Sequence, residues 1–173
     1  GTGTTGLLTV DAGGIHSPGT NVGTTTVNGN YVENGTLLIQ ISSASGTVAG
    51  TDYDQVAVTN SGSVSIGAAA ILTVTYTGVA GTFNPLPGGS YVLINNDGAA
   101  PADTVGTFAG LAEGAIVTVD GESLILSYVG GDGNDVVLNS AVPTILYVDD
   151  DFPASGTIDG DLETAGMQTA VVG

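Results

Sequence analysis

Short runs of β-branched and aliphatic residues, separated by turn residues, recur along most of this chain. Within several runs apolar and polar side chains alternate, a period of two that is typical of half-buried β-strands. Helix-like spacing is confined to residues 110–114 and 162–171, and glycine interrupts both. The pattern therefore predicts an all-β chain. The predicted strands are 24–32, 37–41, 55–59, 64–66, 71–76, 91–94, 116–119, 124–128, 136–138 and 145–148.

Turn dipeptides divide these runs. Asn-Gly occurs at 28–29 and 34–35, and Asp-Gly occurs at 97–98 and 120–121. The clearest hairpin is 115–128, because two alternating runs directly flank Asp120 and Gly121. From Gly106 onward these signals predict an antiparallel hairpin meander.

Composition favours one architecture for the earlier strands. Aromatic residues make up only 5% of the chain, and the interior candidates are mostly Val, Ala, Ile and Thr. A two-sheet sandwich normally fills its core with larger groups, whereas stacked coils need fewer of them. We therefore expect the coils of a β-solenoid, similar to a parallel β-helix, with a β-sandwich as the alternative.

A shift in charge predicts a boundary near Ser140. Seven acidic residues precede residue 120, and ten lie between Asp120 and Glu163. We expect residues 1–140 to form the solenoid module. Residues 141–173 then form an acidic linker, or a donor strand, that opens a further unit.

The absence of whole residue types excludes several functions. The chain has no Lys, Arg or Cys, one His, and a formal net charge of -17. It cannot neutralise nucleic-acid phosphates, form a P-loop or supply a thiol nucleophile. No apolar run reaches the length of a membrane helix. His16 lies in a Gly- and Pro-rich segment with no G-x-S-x-G elbow, so we expect an exposed turn histidine and no enzyme activity.

Two acidic regions are candidate calcium sites, because calcium prefers oxygen ligands. Residues 130–138 (GGDGNDVVL) match one copy of a calcium-binding nonapeptide, although such repeats hold calcium between consecutive copies. The alternative for this segment is a simple turn, and for the second region it is a solvated acidic loop. The candidate ligands are Asp132, Asn134, Asp135, Asp149, Asp150, Asp151, Asp159, Asp161 and Glu163.

An ordered succession of motifs carries a resemblance. The motifs are HSPGT at 16–20, TVNGNY at 26–31, YDQVAVT at 53–59, GTFAGLAEG at 106–114 and SYVGGDGNDVVL at 127–138. Over residues 7–138 the chain resembles the β-strand-repeat module of large bacterial surface proteins of the autotransporter-passenger type. Ala112 stands where that family usually has Pro. Residues 145–151 with Asp159 and Asp161 look like the opening of a further β-helical domain.

The resemblance implies an extracellular or cell-surface β-solenoid that serves as a segment of a stalk, adhesin or fibre. We expect calcium stabilisation and partners that are other copies of the chain or neighbouring domains of one long chain. The alternative is a non-catalytic module that binds a surface glycan or another surface ligand.

Overall fold

A computed structural model describes residues 2–97 and 104–142. Within these ranges the chain is all-β and contains no helix. Residues 110–114, a possible short helix from the sequence, form turns instead. The strands are β1 (Gly3–Thr5), β2 (Leu8–Val10), β3 (Ile15–His16), β4 (Thr24–Asn28), β5 (Tyr31–Glu33), β6 (Thr36–Ile41), β7 (Gln55–Thr59), β8 (Val64–Ile66), β9 (Ile71–Tyr76), β10 (Ser90–Asn96), β11 (Thr104–Val105), β12 (Ile116–Val119), β13 (Glu122–Gly130) and β14 (Asp135–Ser140).

The strands belong to three sheets that the chain visits in turn. The large sheet has the order β1-β4-β7-β10-β14-β13-β12, the second sheet β11-β8-β5-β2, and the third sheet β3-β6-β9. Every parallel pair joins strands that are three apart along the chain. We call β1–β3, β4–β6 and β7–β9 the first, second and third repeats.

The core consists of side chains stacked from one repeat to the next. Val27 of β4 pairs in register with Val58 of β7, and both are fully buried. Leu37 of β6 is likewise buried and pairs with Leu72 of β9. Because strand residues alternate between faces, the intervening residues face outward. Each buried aliphatic side chain contributes about 1.5–3 kcal/mol, which makes this stacking the main stabilising interaction.

The antiparallel part begins where β14 pairs with β10. β14 pairs with β13, and β13 pairs with β12, both antiparallel, as the turn signals predicted. Buried aromatic side chains lie beneath this meander. The Tyr128 hydroxyl accepts a hydrogen bond from the Phe108 backbone N–H (3.0 Å) and donates one to the Leu111 carbonyl (2.7 Å). β12 also packs near β9.

Two strand predictions need correction. The predicted strand 24–32 is two strands, because Gly29 adopts a φ of 139° and turns the chain between β4 and β5. Such a φ favours glycine, which lacks a Cβ. The sequence pattern also missed β1, β3 and β11, which have only two or three residues each and show too little alternation.

Turns of neighbouring repeats approach each other closely. A Cβ added at Gly62, between β7 and β8, would overlap with the carbonyl oxygen of Gly29, between β4 and β5. A Cβ at Gly35 would overlap with the carbonyl oxygen of Gly14 in the same way. At both positions the spacing between repeats leaves no room for a side chain.

The compact unit that contains all described residues spans Gly1–Pro143. Of the predicted segment 141–173, only Ala141 and Val142 are described, and the predicted strand 145–148 lies outside the described residues.

Candidate functional site

The first repeat presents open strand edges. Among the described residues, β1, β2 and β3 each pair with another strand on one side only. Leu8 N–H donates to the Asn30 carbonyl (3.0 Å), and Val10 accepts from Asn34 N–H (2.8 Å). Since successive residues of a strand direct their peptide groups to opposite sides, the N–H and C=O of Thr9 point away from β5.

β3 has the same geometry. The Gly14 carbonyl accepts from Thr36 N–H at 2.9 Å, on the side of β6. The peptide groups of Ile15 therefore point away from β6. The side chain of Ile15 is 70% exposed, and that of Leu7, just before β2, is 66% exposed. The first repeat thus combines exposed apolar side chains with backbone groups that pair with no other strand among residues 2–97 and 104–142.

This end of the molecule also carries little charge. Asp11 is the only acidic residue among the first 32, although the whole chain has 17. Exposed apolar surface that is rimmed by polar groups commonly marks an interaction site. The open edges, the apolar side chains and the low charge together define the candidate functional site of the described chain.

A hydrogen-bonded group of polar side chains lies directly inside this site. The Tyr31 hydroxyl donates to Glu33 Oε2 at 2.6 Å, and Glu33 Oε1 accepts from Gly35 N–H at 2.8 Å. His16 Nδ1 is 2.9 Å from the Tyr31 hydroxyl, and His16 Nε2 is 3.3 Å from Thr25 Oγ1. Because Tyr31 donates its proton to Glu33, His16 carries its proton on Nδ1 and accepts from Thr25 at Nε2.

Burial shifts the pKa values of these hydrogen-bonded side chains. It lowers the pKa of His16 to about 4, so the imidazole is neutral at pH 7. Burial also raises the pKa of Glu33 above its usual value, and raises that of Tyr31 well above the ordinary tyrosine value. Glu33 is fully buried among β-strands of a protein that has no Lys or Arg to pair with it. Hydrogen bonds from neutral groups hold its carboxylate instead.

The expectation of an exposed turn histidine was wrong. His16 lies in β3, is half-buried, and contacts the Tyr31 ring edge-on at a centroid distance of 5.5 Å. Sequence reasoning also missed Tyr31 and Glu33. The available signal was the alternation Tyr31-Val32-Glu33, which places both polar residues on the same face.

Three of the predicted calcium ligands lie around the turn between β13 and β14. Asp132 is exposed, Asn134 is half-buried, and Asp135 is buried. Asp135 Oδ1 accepts from Asn96 N–H at 2.8 Å, and Asn134 Nδ2 donates to the Asn96 carbonyl at 3.1 Å. Burial, followed by the charges of Asp132 and Asp97, raises the pKa of Asp135.

These residues do not assemble into a recognisable metal centre. Over residues 2–97 and 104–142, the His, Cys, Asp and Glu side chains form no group of three that could hold a metal ion. The other candidates lie outside the described residues, so the structure does not test them. They are Asp149, Asp150, Asp151, Asp159, Asp161 and Glu163.

Two further carboxylates bind backbone groups. Asp54, fully buried, accepts from Gly23 N–H (2.7 Å) and Gln40 N–H (2.8 Å), and burial raises its pKa to about 6. Asp120 accepts from the N–H of Gly81 (2.8 Å) and of Phe83 (3.1 Å), and these hydrogen bonds lower its pKa. Both carboxylates join segments that are distant in sequence, which is a structural role.

Comparisons with known proteins identify no relative. No protein-family profile, curated protein or solved structure matches this chain. In the part of the chain that the structure describes, no helix is long and apolar enough to cross a membrane.

Proposed function

We propose that this chain is a non-catalytic structural module of a bacterial surface stalk, adhesin or fibre, built as a β-solenoid and exposed outside the cell. The observation that carries the proposal is the parallel pairing of every third strand, in register, across three repeats. A chain that returns to the same three sheets after each circuit advances along one axis. The length of such a fold then increases with each added repeat and does not depend on the volume of a single core.

The stacking supports a stiff rod. Neighbouring parallel strands lie about 4.8 Å apart, so each repeat lengthens the rod by that distance. Every step is held by backbone hydrogen bonds in three sheets and by buried columns such as Val27 on Val58. Repeat proteins of this kind gain stability from contacts between neighbouring repeats, and they present extended surfaces. This is the mechanical property that a spacer or stalk requires.

Composition supports an extracellular setting. The chain lacks Lys and Arg, so trypsin-like proteases have no site in it. A net charge of -17 keeps such a surface soluble and repels nucleic acid. The resemblance of residues 7–138 to the β-strand-repeat module of autotransporter-type surface proteins points to the same location.

Surface labelling tests the proposal. We expect antibodies raised against the folded chain to label intact cells of the organism that makes it. In-frame deletion of the segment should leave the cells viable but shorten or remove the labelled surface structure in electron micrographs. A matched antibody against a cytoplasmic protein controls for cell lysis. Labelling that appears only after permeabilisation would contradict the proposal.

We also propose that calcium stabilises the module through the acidic residues between Asp132 and Glu163. The raised pKa of Asp135 reflects partly the nearby charges of Asp132 and Asp97, a repulsion that a divalent cation relieves. A ligand that binds only the folded state stabilises it by about 2.7 kcal/mol at one hundred times its dissociation constant.

We therefore expect millimolar calcium to raise the midpoint of thermal unfolding, followed by circular dichroism, by several degrees above the value in chelator. Magnesium at the same concentration should have a much smaller effect. Asp132→Asn should reduce the calcium increment, whereas Asp11→Asn, at the opposite part of the sequence, should not. Equal midpoints in calcium, magnesium and chelator would refute calcium stabilisation.

A further inference from the structure

We propose that Glu33, Tyr31 and His16 form a proton-driven switch, in which uptake of one proton by Glu33 reverses the direction of the hydrogen bonds that join the three side chains. The Tyr31 hydroxyl lies 2.6 Å from Glu33 Oε2 and 2.9 Å from His16 Nδ1. A hydroxyl donates one hydrogen bond, so its proton points at one of these two neighbours at a time. The same distances serve both directions.

In the ionised state of Glu33, the Tyr31 hydroxyl donates to the carboxylate, which can only accept. His16 then donates from Nδ1 to the Tyr31 oxygen, and its Nε2 accepts from Thr25 Oγ1 at 3.3 Å. Burial, and then the positive charge of the amino terminus, lowers the pKa of His16 to about 4. The residue in register with it on β6 is the apolar Leu37. The imidazole is therefore neutral, with its proton on Nδ1.

In the protonated state of Glu33, each of these hydrogen bonds has the opposite direction. The carboxyl O–H donates to the Tyr31 oxygen, and the Tyr31 hydroxyl donates to His16 Nδ1. His16 then donates from Nε2 to Thr25 Oγ1. The Gly35 N–H still donates to Glu33 Oε1 at 2.8 Å, because that oxygen does not carry the proton. The imidazole is neutral in both states and differs only in which nitrogen carries the proton.

Burial determines the route by which the proton reaches Glu33. Glu33 and Tyr31 are fully buried, whereas His16 is half-buried. A hydronium ion or a buffer acid gives a proton to His16 Nε2, which forms the new N–H bond. The Nδ1–H bond breaks as its proton passes to the Tyr31 oxygen, and the former Tyr31 proton passes to Glu33 Oε2. The solvent loses one proton, Glu33 gains one, and both Tyr31 and His16 end neutral.

The surroundings of Glu33 contain no cation that would hold it ionised, because the chain has no Lys or Arg. The strands on either side of β5 place the apolar residues Val10 and Ile66 in register with Glu33. Asp11, which follows Val10, is exposed. Tyr31 is the titratable side chain that contacts the carboxyl. The protonation state of Glu33 therefore depends mainly on burial and on the direction of these hydrogen bonds.

The switch joins two neighbouring repeats. His16 belongs to β3 of the first repeat, whereas Thr25, Tyr31 and Glu33 belong to β4 and β5 of the second repeat. The charge of one buried carboxyl thus controls hydrogen bonds between repeats. Local protonation of this kind is a common way of making a protein sensitive to pH.

Nitrogen-15 NMR of the full chain tests the switch, because His16 is the only histidine. As the pH is lowered from 9 to 5, we expect the proton of the neutral imidazole to move from Nδ1 to Nε2. Carbon-13 NMR of the side-chain carboxyl follows the ionisation of Glu33 in the same samples. The two transitions should have the same midpoint, above the usual glutamate value, since burial raises the pKa of Glu33.

Two variants and a control extend the test. Glu33→Gln donates its amide to Tyr31 at every pH, so His16 should carry its proton on Nε2 at pH 9 as well as at pH 5. Tyr31→Phe removes the hydroxyl between the carboxyl and the imidazole, so His16 should keep one tautomer from pH 9 to pH 5. Asp11→Asn changes an exposed carboxyl and should leave the midpoint of the parent chain unchanged. Circular dichroism establishes that each variant is folded.

Three results would overturn the proposal. They are a single His16 tautomer in the parent chain while Glu33 ionises, a tautomer change whose midpoint differs from that of Glu33, and a tautomer change that persists in Tyr31→Phe. The first two are measured on the parent chain and do not depend on the folding of any variant. None of these results bears on surface labelling, so the proposed extracellular role is tested separately.

Discussion

Replacing Glu33 with alanine is expected to lower the free energy of unfolding by about 2–4 kcal/mol, whereas glutamine at the same position should preserve or increase it. Alanine leaves the Tyr31 hydroxyl and the Gly35 N–H without their acceptor and opens a cavity, since Glu33 is fully buried. A buried polar group that is left without a hydrogen-bond partner destabilises the folded state by more than the net stabilisation from the hydrogen bond it has lost.

Glutamine can satisfy the same partners if the hydrogen bonds reverse. Its oxygen accepts from Gly35 N–H, and its amide donates to the Tyr31 hydroxyl. Tyr31 then donates to His16 Nδ1, and His16 donates from Nε2 to Thr25 Oγ1, across the distances already present. The Gly35 N–H, the Tyr31 hydroxyl and both nitrogens of His16 each keep a partner, and a buried negative charge without a cationic neighbour is removed.

The pH dependence distinguishes this explanation from simple loss of packing. Burial raises the pKa of Glu33, so the folded state binds its proton more readily than the unfolded state does. The stabilisation from that proton is complete at low pH and is lost as pH rises through the folded-state pKa. In urea unfolding, the free energy of unfolding of Glu33→Gln should therefore exceed that of the parent chain by more at pH 8 than at pH 5. If Glu33→Gln were as unstable as Glu33→Ala, the carboxylate charge itself would be required and the reversed network would be wrong.

Alanine at Gly62 should destabilise the chain by about 3 kcal/mol, the upper range for overpacking, although it adds a single methyl group. That methyl would overlap with the backbone of Gly29 in the neighbouring repeat. Backbone cannot swing aside as a flexible side chain can. The two repeats would have to separate locally, which weakens the pairing of β4 with β7 and of β5 with β8.

Gly6 provides the matched control. It occupies the corresponding turn of the first repeat, between β1 and β2, and an added Cβ there meets nothing within 4 Å. Gly6→Ala should change stability by no more than about 1 kcal/mol, in the stabilising direction, because it restricts the unfolded chain. Urea unfolding of the two variants at low protein concentration measures the difference. Equal effects at Gly62 and Gly6 would contradict the close stacking of the turns.

Much of the local structure could be predicted from side-chain alternation. The runs 37–41 and 55–59 lie within β6 and β7, and Asp120 with Gly121 forms the turn between β12 and β13. These elements depend on contacts between residues close in sequence, and their turn residues are chemically specific. The candidate site was harder to predict, because β1 and β3 are too short for a period to be visible.

The hydrogen-bonded group of His16, Tyr31 and Glu33 could not be predicted from local sequence patterns alone. Alternation places Tyr31 and Glu33 on one face of β5, but it does not say that this face is buried. Burial depends on the register of β5 with β2 and β8, which stacks Glu33 between Val10 and Ile66. His16 joins this hydrogen-bonded group only because β3 pairs with β6, where His16 lies in register with Leu37. Both are contacts between repeats. The repeats share no strict sequence period from which these contacts could be predicted.

By itself, the sequence determined the all-β class, the turn positions, the acidic surface and the absence of any cationic side chain, because composition and near-neighbour patterns encode these properties. Tertiary structure alone decided that every third strand pairs and which polar groups share the interior. Those features arise from hydrogen bonds and packing between segments about 30 residues apart, for example Val27 with Val58. Pairings at that distance are selected by the energy of the whole assembly and leave little trace in any single run of residues.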